Sequence, residues 1–250
     1  MNRKYFATFG AAAPGEHRKY YDAINRLKKQ AENTNLFDEI IVYDDKYLKN
    51  DSIFWNKHGD FIINTYHPEF GCIGYGYWIW KSYIILKSLE QMDDNDILVY
   101  CDSGCEIDKN PDKLSNLFKL TEQYNIIYSL HGARIKDQNK MDLLMHFNML
   151  DKNILNLHMK EAGCISIKKT LQMINFVKEW YQTCCHYSLL DDSKSINNNL
   201  NSFKIHRHDQ SIFNMLLIKY DLHKIPIDIK RYIHYIRNKT GISKIGNNVL

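Results

Sequence analysis

Asp96-Ile-Leu-Val-Tyr-Cys-Asp102-Ser-Gly104 is the stretch whose reading decides the fold. Ile97 to Tyr100 form a short, unbroken apolar run rich in β-formers, the pattern of a strand buried on both faces. An acidic turn, Asp93-Asp94-Asn95-Asp96, precedes the run and a single carboxylate ends it. In an open α/β sheet, ligands sit outside the carboxyl ends of the strands, which is where Asp102 is expected. A carboxylate there can hold a hard divalent cation, and the cation can bridge two phosphates. Gly104 fits a close approach of ligand to backbone or a turn with positive φ. An aspartate that only opens a turn explains the same residues.

Upstream, Tyr5 to Phe9 read as a first strand ended by Gly10. A small-residue loop over 11–15 leads into a helix with Tyr20, Ile24, Leu27 and Ala31 on one face. Glu39 to Tyr43 read as a second strand, with a polar turn at Asp44-Asp45. Strand, helix, strand predicts a right-handed parallel crossover. Leu48 to Gly76 reads as irregular. Gly74-Tyr-Gly-Tyr-Trp-Ile-Trp-Lys81 then opens a helix to about Met92. Its glycines resemble a phosphate-cradling nest without the full spacing, and at least two of its large aromatics are expected in the core. Lys81 is either solvated or reaches an anion.

Downstream, Asn110 caps a helix with Pro111 at its first position and Leu114, Leu117, Phe118 and Leu120 inward. Strands are expected at Ile126 to Leu130 and Gly163 to Ile167, helices at Lys140 to Leu150 and from Thr170 through Tyr181, and a surface loop from Asp191 to Ser202. His206-Arg-His-Asp-Gln-Ser211 opens a last helix, where Asp209 or Ser211 has a capping explanation.

At 250 residues, with 44% hydrophobic and 25% charged content, the chain suits one globular core. A net charge of +4 is too small to argue for nucleic acid. Beyond Asp228 there is no carboxylate side chain, while Lys230, Arg231, Arg237, Lys239 and Lys244 follow. That tail suits a phosphorylated ligand, an anionic surface or plain solvation. The cysteines form no C-x-x-C pair, and Cys101 and Cys164 fall in strand-like runs, so reduced structural thiols are expected. With no signal-peptide core and no membrane-spanning run, the expectation is a soluble, cytoplasmic protein.

Taken together, Thr8-Phe-Gly10, Gly74-Tyr-Gly-Tyr-Trp-Ile-Trp-Lys81, Tyr100-Cys-Asp102-Ser-Gly104, Glu161-Ala-Gly163, His206-Arg-His-Asp-Gln-Ser-Ile212 and His234-Tyr-Ile-Arg237 resemble the GT-A-fold glycosyltransferases of bacterial polysaccharide loci and giant DNA viruses. The resemblance implies one GT-A-like α/β domain, a mixed and mainly parallel sheet flanked by helices. Residues 1–130 would form the nucleotide-binding half, 131–228 the acceptor and donor-sugar half, and 229–250 the basic tail. It also implies a nucleotide-sugar donor, UDP-linked by preference, a glycan or glycoprotein acceptor and a divalent metal, Mn²⁺ or Mg²⁺. Asp102 stands where the family carries Asp-x-Asp, but Gly104 replaces the second acid, and His234 is the candidate to complete the metal site. Thr8, Phe9 and Gly10 would line the base and ribose pocket. Tyr77, Lys81, Ser103 and Gly104 would face the donor, and Arg237 would reach the diphosphate as a tail from Arg231 onward closes over it. Glu161, Ala162 and Gly163 resemble the Asn-Ala-Gly of glycogenin-like retaining enzymes, and Asp209 and Gln210 their Asp-Gln. Asp209 and Glu161 are therefore the catalytic candidates. A nucleotidyltransferase and a non-catalytic sugar- or nucleotide-binding module are the alternatives.

Overall fold

The computed structural model describes residues 2–11, 19–67 and 71–245. Most of the loop expected over 11–15 lies outside them. The chain builds a five-stranded sheet from β1 (Lys4–Gly10), β2 (Glu39–Asp44), β3 (Ile97–Asp102), β5 (Ile126–Arg134) and β6 (His158–Lys168), in the order β2-β1-β3-β6-β5. β1 pairs in parallel with both β2 and β3, as the strand-helix-strand reading requires. Only β6 runs against its neighbours. The sheet is mixed, mainly parallel and flanked by helices, as expected.

The period-2 alternation of strands divides the core in two. Tyr5, Ala7, Phe9, Leu98, Tyr100, Tyr128 and Ile165 face helices α4 (Ile79–Gln91), α6 (Leu171–Cys184) and α7 (Asp209–Lys219). Phe6, Val99, Cys101, Ile127 and Cys164 face α1 (Lys19–Glu32) and α5 (Pro111–Tyr124) on the other side. The caps at Asn110 and Thr170 form as read.

Several expectations are corrected. The irregular segment contains α2 (Asp45–Asn50) and α3 (Ser52–Asn64). Asp44, where a turn was expected, accepts from the Tyr47 N–H and caps α2, and Asp51 accepts from the Phe54 N–H and caps α3. Phe54, His58 and Ile62 form the buried stripe of α3. His58 is a satisfied core histidine, its ring nitrogens 2.8 and 2.9 Å from the hydroxyls of Tyr187 and Tyr181. The helix expected over 140–150 covers only Met141–His146. The 191–202 segment is a loop pinned by backbone bonds to Asn199 and Asp142.

The basic tail is not free. Its β7 (Ile233–Tyr235) pairs antiparallel with β4 (Cys105–Ile107), a strand absent from the sequence reading. Beneath this ribbon the Arg26–Glu106 ion pair, at 2.9 Å, is buried. Arg26 also donates to the carbonyls of Ser103, Cys105 and Asn238, joining the turn after Asp102 to the tail. Burial would raise the Glu106 pKa, but bonds from Ser243, Asn238, the Lys244 N–H and Gln30 outweigh it and hold the carboxyl at about 2.

Candidate functional site

Asp102 ends the central strand, its side chain 27% exposed. The Tyr100 hydroxyl donates to its Oδ1 at 2.6 Å. Burial, followed by the charge of Asp102, raises the Tyr100 pKa well above its ordinary value and keeps the phenol a donor. Lys81, 3% exposed in the first turn of α4, places Nζ 3.2 Å from Asp102 Oδ1 and 3.4 Å from its Oδ2. The same ammonium lies 3.4 Å from Oδ2 of Asp209, the first residue of α7. Neither solvated nor free for a ligand, Lys81 joins two carboxylates from opposite halves of the chain. Burial alone would lower its pKa, but the two carboxylates raise it. Asp209 is pushed up to about 6, first by burial and then by Asp102, against the pull of Lys81.

Asp209 does not cap its helix. The Ser211 hydroxyl accepts from the Arg207 N–H at 3.0 Å and donates to the Gln138 carbonyl at 2.9 Å. The Asp209 carboxylate is left for the site.

The backbone around this ion triad is strained. Gly74, Tyr75, Gly76, Tyr77 and Trp78 all have positive φ, and His208, just before Asp209, has φ 54°. Each non-glycine residue in a left-handed turn costs about 1–2 kcal/mol. The expected nest is therefore a left-handed turn. Its Tyr77 and Trp78 rings lie 4.8 and 5.6 Å from the His208 ring, while only Trp80 of these aromatics is fully buried, stacked at 3.7 Å on Phe9. Strain of this kind persists where the surroundings impose it, and it clusters at functional sites.

β6 begins at the edge where β3 ends, which brings Glu161-Ala-Gly163 beside Asp102. A Cβ on Gly163 would lie 2.5 Å from the Tyr235 hydroxyl and 2.8 Å from Asp102 Oδ2. Glycine here makes room for both groups. Glu161 is nearly buried and pairs with Lys230 at 2.6 Å, and Lys230 sits over the Tyr235 ring at 5.5 Å. Burial raises the Tyr235 pKa, as do Asp102, Cys105 and Glu161, while Arg237 opposes them. His131 is lowered by burial and, despite Glu161, by the positive charges of Arg207, Lys230 and Arg237. The carboxylates at the strand ends, Asp102 and Glu161, are thus paired with Lys81 and Lys230. Tyr100, Tyr235, His131, Arg207 and Lys230 were not singled out as site residues. Tyr100, Arg207 and Tyr235 lay inside quoted motifs and Lys230 on the basic tail, while nothing in the sequence pointed to His131.

Other candidates are placed as follows. Phe9 is core, Thr8 is buried with no partner for its Oγ1 among the described residues, and a Cβ on Gly10 would strike Ile24 of α1 at 2.7 Å. Ala162 and Ser103 are buried, and Gln210 keeps an unpartnered Nε2 among the described residues. Arg237 is exposed, with φ 54°.

The donor set does not fit the metal site expected of Asp102 and His234. His234 Nε2 meets Asp108 at 3.4 Å, while its strand neighbour Tyr235 turns toward Asp102. A Cβ on Gly104 would lie 3.0 Å from the Arg237 Cα, so a second acid there would press on the crossing tail. Glycine at 104 serves a close approach of the chain to itself. Among the described residues, the group of three potential metal-ligand atoms is the buried thiol set Cys101, Cys105 and Cys164, all free.

No protein-family model matches the chain, and no curated protein does. Among solved structures it is similar to mouse xyloside xylosyltransferase 1 in apo form, 10% identical over 88% of this chain and 83% of that one, with TM-score 0.44. It is also similar to the galactosyltransferase LgtC in complex with donor and acceptor sugar analogues, 13% identical over 85% and 70%, with TM-score 0.38. A third likeness is to 4-diphosphocytidyl-2C-methyl-D-erythritol synthase from Anaerococcus prevotii, 9% identical over 87% and 99%, with TM-score 0.33. No helix among the described residues is long and apolar enough to cross a membrane.

Proposed function

We propose that the chain is a glycosyltransferase that moves a sugar from a nucleotide-diphosphate donor, UDP-linked by preference, to a hydroxyl of a glycan or glycoprotein. The observation that supports this most is the opposition of charges at the end of the central strand. Asp102 and Asp209 meet at the Lys81 ammonium, and Glu161 pairs with Lys230 at 2.6 Å. Departure of a nucleoside diphosphate builds negative charge on the β-phosphate while the anomeric carbon becomes oxocarbenium-like. Fixed cations stabilise the first and carboxylates the second.

Within this reading Lys230 and Arg237 hold the diphosphate, and Tyr235 donates to it. Asp209 faces the donor sugar and steadies its developing positive charge. Glu161, with Lys230 at its side, takes the proton of the acceptor hydroxyl. The likeness of Glu161-Ala-Gly163 and Asp209-Gln210 to retaining enzymes favours a retaining course with a hexosyl or N-acetylhexosaminyl donor.

The test is a panel of nucleotide sugars, with released nucleoside diphosphate as the readout. Glu161→Gln should lower release on the order of 10²-fold while leaving nucleotide binding largely intact. Pyrophosphate released from nucleoside triphosphates and sugar phosphates would instead make the chain a nucleotidyltransferase.

A further inference from the structure

The departure at Gly104 would leave a glycosyltransferase with one carboxylate for a metal that is held by two. We propose that this site works without a divalent cation, with Lys81 bridging Asp102 and Asp209 and with Lys230 and Arg237 taking the charge of the diphosphate. The inference rests on the nucleotide-sugar reading and specifies how that site meets its anion.

Three observations carry it. First, both oxygens of Asp102 are engaged, Oδ1 by Tyr100 and Lys81 and Oδ2 by Lys81. A dication on this carboxylate would have to displace the ammonium or sit against it, and like charges at such range repel strongly in a poorly solvated site. Second, the residues that could complete a metal shell are directed elsewhere. His234 is turned to Asp108, and the place of a second acid is crowded by the backbone at Arg237. Third, the tail that crowds that place brings cations with it. Lys230 reaches Glu161, and the backbone of Arg237 crosses Gly104. The same crossing of the chain therefore crowds the place of the second ligand and brings positive charge to the site, which suits a diphosphate through charge-assisted hydrogen bonds.

Calorimetric titration of UDP, GDP and CDP into the full chain, once in EDTA and once in Mn²⁺, decides the matter. The expected result is that one nucleotide binds with the same affinity in both buffers, within about threefold. Arg237→Ala, with an unchanged melting temperature, should weaken that binding on the order of tenfold. Binding that tightens tenfold or more with Mn²⁺, or that ignores Arg237→Ala, overturns the inference and leaves the glycosyltransferase reading standing. If no nucleotide binds in either buffer, the nucleotide-sugar reading fails and this inference with it.

Discussion

Replacing Asp209 with asparagine keeps the shape of the side chain and removes its charge, which separates two consequences of its burial. In the folded chain the carboxyl has a pKa of about 6 against an ordinary value of 3.8, because burial and Asp102 outweigh Lys81. The folded state therefore favours the protonated form. The sign follows from linkage: the contribution is fully present below about pH 3.8, declines as pH rises toward about 6, and is constant above that. At about 1.36 kcal/mol per pKa unit, the loss is roughly 1 kcal/mol by about pH 4.5 and roughly 3 kcal/mol by about pH 7.5. The asparagine variant has no such dependence, since its amide does not titrate. Guanidinium unfolding of wild type and Asp209→Asn at both pH values measures the difference. The variant should gain about 2 kcal/mol relative to wild type on going from the lower to the higher pH. An equal pH response in the two proteins, or a variant that loses ground at the higher pH, would refute the electrostatic account of this buried acid.

Two further substitutions probe the same ion triad and the tail. Lys81→Met fills a similar volume but leaves Asp102 and Asp209 facing each other without a cation. Denaturant unfolding near neutral pH should show a loss of about 3–5 kcal/mol, as for other broken buried pairs. Gly104→Asp supplies the second acid of an Asp-x-Asp pair on paper. With a Cβ 3.0 Å from the Arg237 Cα it should unseat the tail instead, costing about 1–3 kcal/mol by thermal unfolding and creating no Mn²⁺ requirement.

Much of the sheet was legible because its strands are apolar runs closed by turn residues, and Ile97 to Tyr100 is the clearest of them. The helices α2 and α3 were not, because Asp44 and Asp51 read as loop acids until their backbone partners are seen, and because a histidine and a glycine interrupt the apolar stripe at His58 and Gly59. In the site, Asp102, Lys81 and Asp209 each stood out within a local motif. Their junction in one ammonium did not, since it depends on how α4 and α7 pack over the sheet. The roles of Gly104 and Gly163 were hidden for the same reason. What they make room for, the backbone at Arg237 and the Tyr235 ring, comes from the far end of the chain.

The β4–β7 ribbon also sets an order of assembly during synthesis. Glu106 waits for Asn238, 132 positions later, and for the Lys244 N–H, 138 positions later. Closing so long a loop costs little more than closing one half its length, by about 0.6 kcal/mol, but it cannot happen before the second partner exists. A nascent chain that has just emerged through β6 contains Asp102 and Lys81, yet it lacks α6, on which α4 packs, as well as Asp209, Lys230 and Arg237. Until Asp209 arrives, Lys81 can balance Asp102 alone. The cations proposed to grip an anionic donor follow all five strands of the sheet, so a growing chain acquires every strand before the residues proposed to take hold of a donor.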